Sequence, residues 1–168
     1  HEAFLEWCIG ELAEIGEIED VTLSNFDKVG QAVHGYSYSD DDGRLDLFVT
    51  LYRRSQVEYT ASKGDLETSI KRLRSFVEKS KLGKNNDLSI HDPASGLVEV
   101  ITKVDISQLR LFVFTDGNSN ITKVEQEDLC DLPTRTYIWD LPRFLRSIVS
   151  GREKEETDVF VEEFGAKH

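Results

Sequence analysis

Apolar residues recur along this chain at two spacings, one typical of helices and one typical of strands. Near the start, Phe4, Cys8, Leu12 and Ile15 lie three or four positions apart, which gives a helix one apolar face. Further on, 44–53 alternates apolar and polar residues, as a strand does. The whole pattern predicts helices at 2–16, 62–82, 94–104 and 141–149, and strands at 31–38, 44–53, 108–115, 134–139 and 158–161.

The first two predicted strands form a hairpin, because Asp42-Gly43 between β-rich runs is a strong turn signal. The neighbouring acids Asp40, Asp41 and Asp42 lack the spacing of a calcium loop, so we interpret them as a solvated turn. The nearly continuous apolar run at 108–115 is typical of a strand buried on both faces. Together these elements predict an α/β fold with a central mixed sheet flanked by helices.

Composition narrows the class of protein. Hydrophobic residues make up 39% and charged residues 31% of 168, which is typical of one globular domain. No apolar run approaches the ~20 residues of a membrane span, so we expect a cytoplasmic protein without membrane contact. Cys8 and Cys130 have no metal-site spacing and are expected to be buried thiols. Since the chain starts with His1 instead of Met, we expect 1–168 to be a single domain from a longer chain.

Several of these features occur together in a known family. An N-terminal helix, a hairpin ending in Leu45-Asp46-Leu47-Phe48 and Tyr52, a long helix, and a strand ending in Thr115-Asp116-Gly117 resemble the N-terminal domain of the abortive-infection phage-resistance proteins. That domain is similar to the restriction-endonuclease-like fold. The resemblance implies a nuclease-type scaffold within a phage-defence protein.

A nuclease of that fold requires a specific set of side chains. An Asp on one strand and Glu/Gln-x-Lys on the next hold a divalent cation and the attacked phosphate, often with a Glu from the first helix. In this sequence the Asp position falls on His34, and the Glu/Gln and Lys positions fall on Val49 and Leu51. Valine and leucine cannot bind a metal, so we expect no enzyme activity and no cofactor.

Other residues keep catalysis open as an alternative. Glu11 could be the remaining helix glutamate, and His34 could bind a metal, although a lone histidine is more often a hydrogen-bonded packing residue. Asp46 could act with Glu58 and Lys63 in a shifted arrangement. If such a divergent active site works, Mg²⁺ or Mn²⁺ is the expected cofactor and DNA or RNA the substrate.

The predicted helix at 62–82 carries a local excess of positive charge, although the chain has a net charge of −12. Its cations predict a nucleic-acid-binding stripe, which Arg53 and Arg54 extend. The ordinary alternative is a solvated helix face whose last turn complements the helix dipole. The candidate nucleic-acid-binding residues are Arg53, Arg54, Lys63, Lys71, Arg72 and Lys79.

Three functions remain open at this point. The first is a catalytically degenerate nuclease-like domain that binds nucleic acid or protein. The second is an active metal-dependent endonuclease with a divergent site. The third is a domain that docks on the C-terminal remainder of its own chain. The oligomeric state does not follow from the sequence.

Overall fold

The computed structural model describes residues 2–151, in which a six-stranded sheet lies between two layers of helices. The helices are α1 (Glu2–Glu14), α2 (Lys63–Lys81), α3 (Ser95–Lys103) and α4 (141–151). The strands are β1 (Thr22–Lys28), β2 (Gln31–Ser39), β3 (Arg44–Leu51), β4 (Gln108–Thr115), β5 (Lys123–Val124) and β6 (Thr134–Trp139). None of these helices is both long and apolar enough to span a membrane.

The sheet is mixed, as predicted, in the order β1-β2-β3-β4-β6-β5. β2 runs antiparallel to both β1 and β3, whereas β3, β4 and β6 are parallel to one another. β4 therefore lies between two parallel partners, which explains its nearly continuous apolar sequence. The prediction of a central buried strand at 108–115 is confirmed.

Each face of the sheet carries its own hydrophobic core. Leu47, Val49 and Leu111 pack under α2 and α3, and Phe48 and Phe112 pack under α1 and α4. Residues i and i+1 of a strand point to opposite faces, so β3 and β4 supply both cores. The predicted aliphatic face of 44–53 is confirmed, and the opposite face is buried as well.

Most local signals act where the sequence predicts. The Ser62 hydroxyl accepts the Asp65 N–H at 3.0 Å and so caps α2, and Gly83 follows the helix with φ of +79°. At the hairpin, Gly43 has φ of +62°, and a Cβ there would lie 2.5 Å from the Ser107 hydroxyl. Only glycine fits that turn without displacing the chain before β4.

Several details differ from the predictions. β1 was not predicted, because its pairing with β2 is irregular between Leu23 and Phe26, where Asn25 has φ of +45°. That irregularity interrupts the alternation that identifies a strand. α1 ends at Glu14, which leaves Ile15 44% exposed instead of on the apolar face. The strand predicted at 158–161 lies outside the described residues.

Candidate functional site

His34, at the predicted metal-binding Asp position, is 4% exposed and hydrogen-bonded through both ring nitrogens. Its Nδ1 accepts the Thr50 backbone N–H and the Thr50 hydroxyl, each at 3.0 Å. The proton therefore lies on Nε2, which donates to Asp27 Oδ2 at 3.2 Å. Burial lowers the pKa of His34, although the hydrogen bond and charge of Asp27 oppose the shift. His34 is thus a neutral structural residue, as the packing interpretation expects.

The position of His34 explains this role. The β2–β3 ladder extends from Ser39 opposite Arg44 to Gly35 opposite Phe48. His34 lies just beyond its last pair, and its ring supplies the acceptor for the Thr50 amide. A side chain that satisfies a backbone donor in this way replaces a ladder hydrogen bond. It has little freedom to turn toward a metal ion.

Val49 and Leu51 occupy the other two predicted nuclease positions, and neither side chain can bind a cation or a phosphate. Val49 is 2% exposed within the core under α2 and α3. Leu51 packs against the same core at the end of β3. The three positions therefore do not fit a divalent metal ion, whose oxygen ligands would have to come from elsewhere.

Asp46, the third catalytic candidate, is 2% exposed and neutralised by arginine. Arg110 holds it in a two-pronged contact, with Nε 2.8 Å from Oδ1 and Nη2 2.7 Å from Oδ2. Arg44 Nε lies 3.3 Å from Oδ1. Burial disfavours the charged form of Arg110, but Asp46 and then Glu17 outweigh it and raise its pKa. The carboxylate is committed to a buried ion pair.

The shifted arrangement of Asp46 with Glu58 and Lys63 does not form. Asp46 lies near the start of β3, whereas Glu58 and Lys63 follow the end of the strand at Leu51. Leu51 is five positions after Asp46, which is about 17 Å along a strand. Lys63 instead pairs with Glu67 at 3.8 Å along α2. These groups cannot converge on one phosphate.

Glu11 is half-buried on α1 beside Cys8, which is fully buried. Burial raises the pKa of the Cys8 thiol, and the charges of Glu11 and Asp116 add to the shift. Cys8 is therefore a protonated core thiol, as predicted, whereas Cys130 is exposed, contrary to the prediction. Within residues 2–151, no group of three or more His, Cys, Asp or Glu side chains is arranged to hold a metal ion.

The end of β4 holds the chain that leaves β3. Asp116 accepts the Arg53 and Arg54 backbone N–H groups at 3.1 and 3.0 Å, and the Tyr59 hydroxyl donates to it. Burial and that hydrogen bond raise the pKa of Tyr59. Tyr59 also covers Gly117, where a Cβ would lie 2.6 Å from its ring. The Thr-Asp-Gly sequence thus acts as a structural clamp.

The predicted basic stripe of α2 is divided by its own contacts. Arg72 pairs with Asp27 and donates to the Lys28 and Gln31 carbonyls at 2.7 and 3.1 Å. Arg74 donates instead to the Glu127 carbonyl at 2.8 Å. These two arginines therefore contact different parts of the fold. Their guanidinium groups are engaged in contacts within the domain.

The remaining stripe residues are more open to solvent. Lys63 and Lys71 are exposed, and Lys79 is half-buried near Gly30. Arg53 pairs with Asp65 and lies over the Tyr59 ring, 5.3 Å from its centroid. Some of the cations named from the sequence are thus engaged in structural contacts, others are open to solvent, and nucleic-acid binding by them stays a prediction.

A second group of cations was not recognised in the sequence. Arg110 and Arg135 are direct partners on the adjacent strands β4 and β6. Each is followed two positions later by an aromatic residue, and these rings, Phe112 and Tyr137, lie 5.4 Å apart. Alternation of arginine and aromatic residues was the available signal, but the strand pairing that joins the two runs is not visible in the sequence.

Comparison with known proteins gives one match. A family model described as Abortive infection phage resistance protein N-terminal domain matches residues 4–146. Searches of curated proteins and of solved structures returned no match. The chain therefore belongs to the abortive infection phage resistance family, as its N-terminal domain, and this membership indicates a role in phage defence by abortive infection.

Proposed function

We propose that this domain is a catalytically degenerate nuclease-like module that binds nucleic acid or protein within a phage-defence protein. The observation that carries the proposal is the state of the three nuclease positions. His34 is hydrogen-bonded into the sheet, and Val49 and Leu51 pack on the core. A cation-binding site at these positions would require replacing the groups that stabilise the hairpin.

The remaining scaffold supports a nuclease-type ancestry. A hairpin lies beside a parallel strand, with one helix layer on each face of the sheet. A scaffold of this kind without the metal ligands is consistent with a binding function. The partner is a nucleic acid or the C-terminal remainder of the same protein.

A reducing compartment, the cytoplasm, suits this module. Cys8 and Cys130 are both free thiols, and Cys130 is exposed. Disulfides are rare in reducing compartments, where an exposed thiol can persist.

A cleavage assay tests the proposal. The chain is incubated with supercoiled plasmid, single-stranded DNA and single-stranded RNA in Mg²⁺ or Mn²⁺, with an active nuclease as positive control. We expect no cleavage above a no-protein blank. Glu11→Gln and Asp46→Asn serve as matched variants, because each removes a carboxylate with little change in shape.

Metal-dependent cleavage that either variant abolishes would overturn the degenerate assignment. Cleavage that both variants retain, and that co-purifies with the folded chain, would also overturn it and would place the ligands elsewhere. Circular dichroism of each variant verifies that a loss of activity is not a loss of fold.

A further inference from the structure

A basic surface lies on the face of the sheet that carries α1 and α4, and its residues belong to β5, β6 and α4. We name it the arginine face and define it by four cations: Lys123, Arg135, Arg143 and Arg146. Strand pairing assembles its flat part. Residues paired across neighbouring strands point to the same face, so Lys123 of β5 lies beside Tyr137 of β6. Tyr137 packs against the α1-side core, which identifies the face.

Arg135 extends this surface along β6. It is two residues from Tyr137 on the same strand and therefore shares its face. Its partner on β4 is Arg110, which pairs with buried Asp46 and forms the floor of the surface. Arg135 is exposed, whereas Tyr137 is half-buried with its ring against Phe112.

α4 supplies the other two cations. Arg143 and Arg146 are three residues apart, so they lie on one flank of the helix. Phe144 points away from this flank, into the core. The Arg143 guanidinium lies 3.9 Å from the centroid of the Trp139 ring and donates to the Ile138 carbonyl at 2.9 Å. These contacts hold Arg143 against the end of β6.

The charge on this face is largely uncompensated. Within residues 2–151, no salt bridge engages Lys123, Arg135 or Arg146. The acids at its border are Glu17, which lies 3.6 Å from Arg110, Asp140, whose carboxylate accepts the Arg143 backbone N–H at 2.9 Å, and Glu125, the residue after β5. In α2, by contrast, Arg72 and Lys63 are paired. The arginine face is therefore a local cationic surface on a chain of net charge −12.

We propose that the arginine face binds the phosphate backbone of a single-stranded nucleic acid. This inference rests on the proposed binding function and names its partner and surface. Guanidinium groups match phosphate geometry with paired hydrogen bonds. Tyr137, set among the cations, offers a ring on which an unpaired base can stack. A duplex keeps its bases inside and gains nothing from that ring, so a single strand is the preferred ligand.

The test measures binding without catalysis. Fluorescence anisotropy in EDTA follows labelled single-stranded DNA, single-stranded RNA and duplex DNA from 50 to 200 mM salt. The face variant is Arg135→Glu with Arg146→Glu. The matched control is Lys63→Glu with Lys71→Glu, which makes the same change in net charge on α2.

We expect the face variant to weaken single-strand binding at least ~10-fold and to reduce the salt slope by about 1 to 2, as for the loss of one or two phosphate contacts. The α2 control should weaken it by less than ~3-fold, since only the general field changes. Tyr137→Leu, which retains apolar volume against Phe112, should weaken single-strand binding and leave duplex binding unchanged. Thermal unfolding of each variant verifies the fold.

Equal weakening by the face variant and the control would overturn the proposal, as would the absence of binding at 50 mM salt. Duplex binding as tight as single-strand binding, and insensitive to Tyr137→Leu, would also contradict it. Since no metal is present, these outcomes are independent of the cleavage assay. Cleavage there would overturn the degenerate assignment and leave the binding result intact.

Discussion

The His34 ring joins β1, β2 and β3 through its contacts with Asp27 and Thr50. Arg72 pairs with the other oxygen of Asp27, so histidine, aspartate and arginine form one chain of contacts from the sheet to α2. Burial raises the pKa of Asp27, but the hydrogen bonds and charges of Arg72 and His34 outweigh this effect and lower the pKa. A neutral histidine and a charged aspartate are therefore the native forms.

These forms predict a stability loss in mild acid. The folded pKa of His34 is lowered below the ordinary ~6.5, so the unfolded chain binds more protons between that value and the folded pKa. The free energy of unfolding should therefore fall as the pH decreases below about 6.5. Asp27, whose folded pKa is lowered too, adds a separate loss below about pH 4. Urea unfolding across pH 4.5–8, a range chosen to bracket about 6.5, measures the first step.

Two substitutions assign that first step to His34. His34→Asn, whose amide oxygen can accept the Thr50 N–H, should lack the step that begins below about pH 6.5, while His91→Asn at an exposed histidine should retain it. His34→Ala leaves the Thr50 amide without its acceptor and should cost about 1–3 kcal/mol at pH 8. An unchanged pH profile in His34→Asn would remove the structural role argued for this residue.

At the scale of elements, α2 shows why a count of cations does not define a binding surface. Arg72 and Lys71 are sequence neighbours with the same charge. Arg72 anchors the helix to the β1–β2 turn through Asp27, Lys28 and Gln31. Lys71 is exposed and makes no such contact within the described residues. One turn of helix thus contains a structural cation and a solvated one.

The difference between these neighbours is measurable. Arg72→Ala should lower the free energy of unfolding by about 1–3 kcal/mol, because it removes the donor to two backbone carbonyls and to one oxygen of Asp27. Lys71→Ala should change it by less than ~0.5 kcal/mol, as surface substitutions usually do. Urea unfolding with an unchanged m-value compares the two. Equal losses would mean that the contacts of Arg72 do not stabilise the fold.

At the scale of the whole molecule, the two thiols differ in their access to solvent. Cys8 lies at 0% exposure between α1 and the sheet, and Cys130 is exposed in the loop before β6. A reagent reaches Cys8 only when α1 separates from the core that contains Phe144 and Trp139. The reactivity of Cys8 therefore measures the opening of that layer.

Thiol labelling with Ellman's reagent should show one fast and one slow thiol. In Cys130→Ser, whose only cysteine is Cys8, labelling should be slow and should accelerate with urea in parallel with unfolding. Adding Phe144→Ala, which costs about 3–5 kcal/mol in a core, should accelerate labelling roughly 100-fold or more. Cys8→Ser serves as the control with only the fast thiol. Fast labelling of Cys8 in native buffer would contradict the packing of α1.

Local interactions were predictable from the amino-acid sequence alone. Apolar periodicity gave the bounds of β4 and β6 and most of α2, because these elements bury regular stripes of residues. The residues at the three predicted nuclease positions were also evident, since side-chain chemistry at a position is readable without a fold. β1 was missed because its irregular pairing and positive φ at Asn25 leave no alternation to detect.

Contacts between residues far apart in the chain depend on the tertiary structure. Arg110 and Asp46 are 64 positions apart, and only the parallel register of β3 and β4 brings them together in the core. Strand pairing likewise places Lys123 beside Tyr137, on the face that Arg135 shares. Arg72, by contrast, pairs with Asp27. The charge of a side chain follows from the residue type. Whether that charge is open to a binding partner depends on contacts with residues that are distant in the sequence. For this reason the sequence showed which side chains stand at the predicted nuclease positions, and the fold showed which cations share one face.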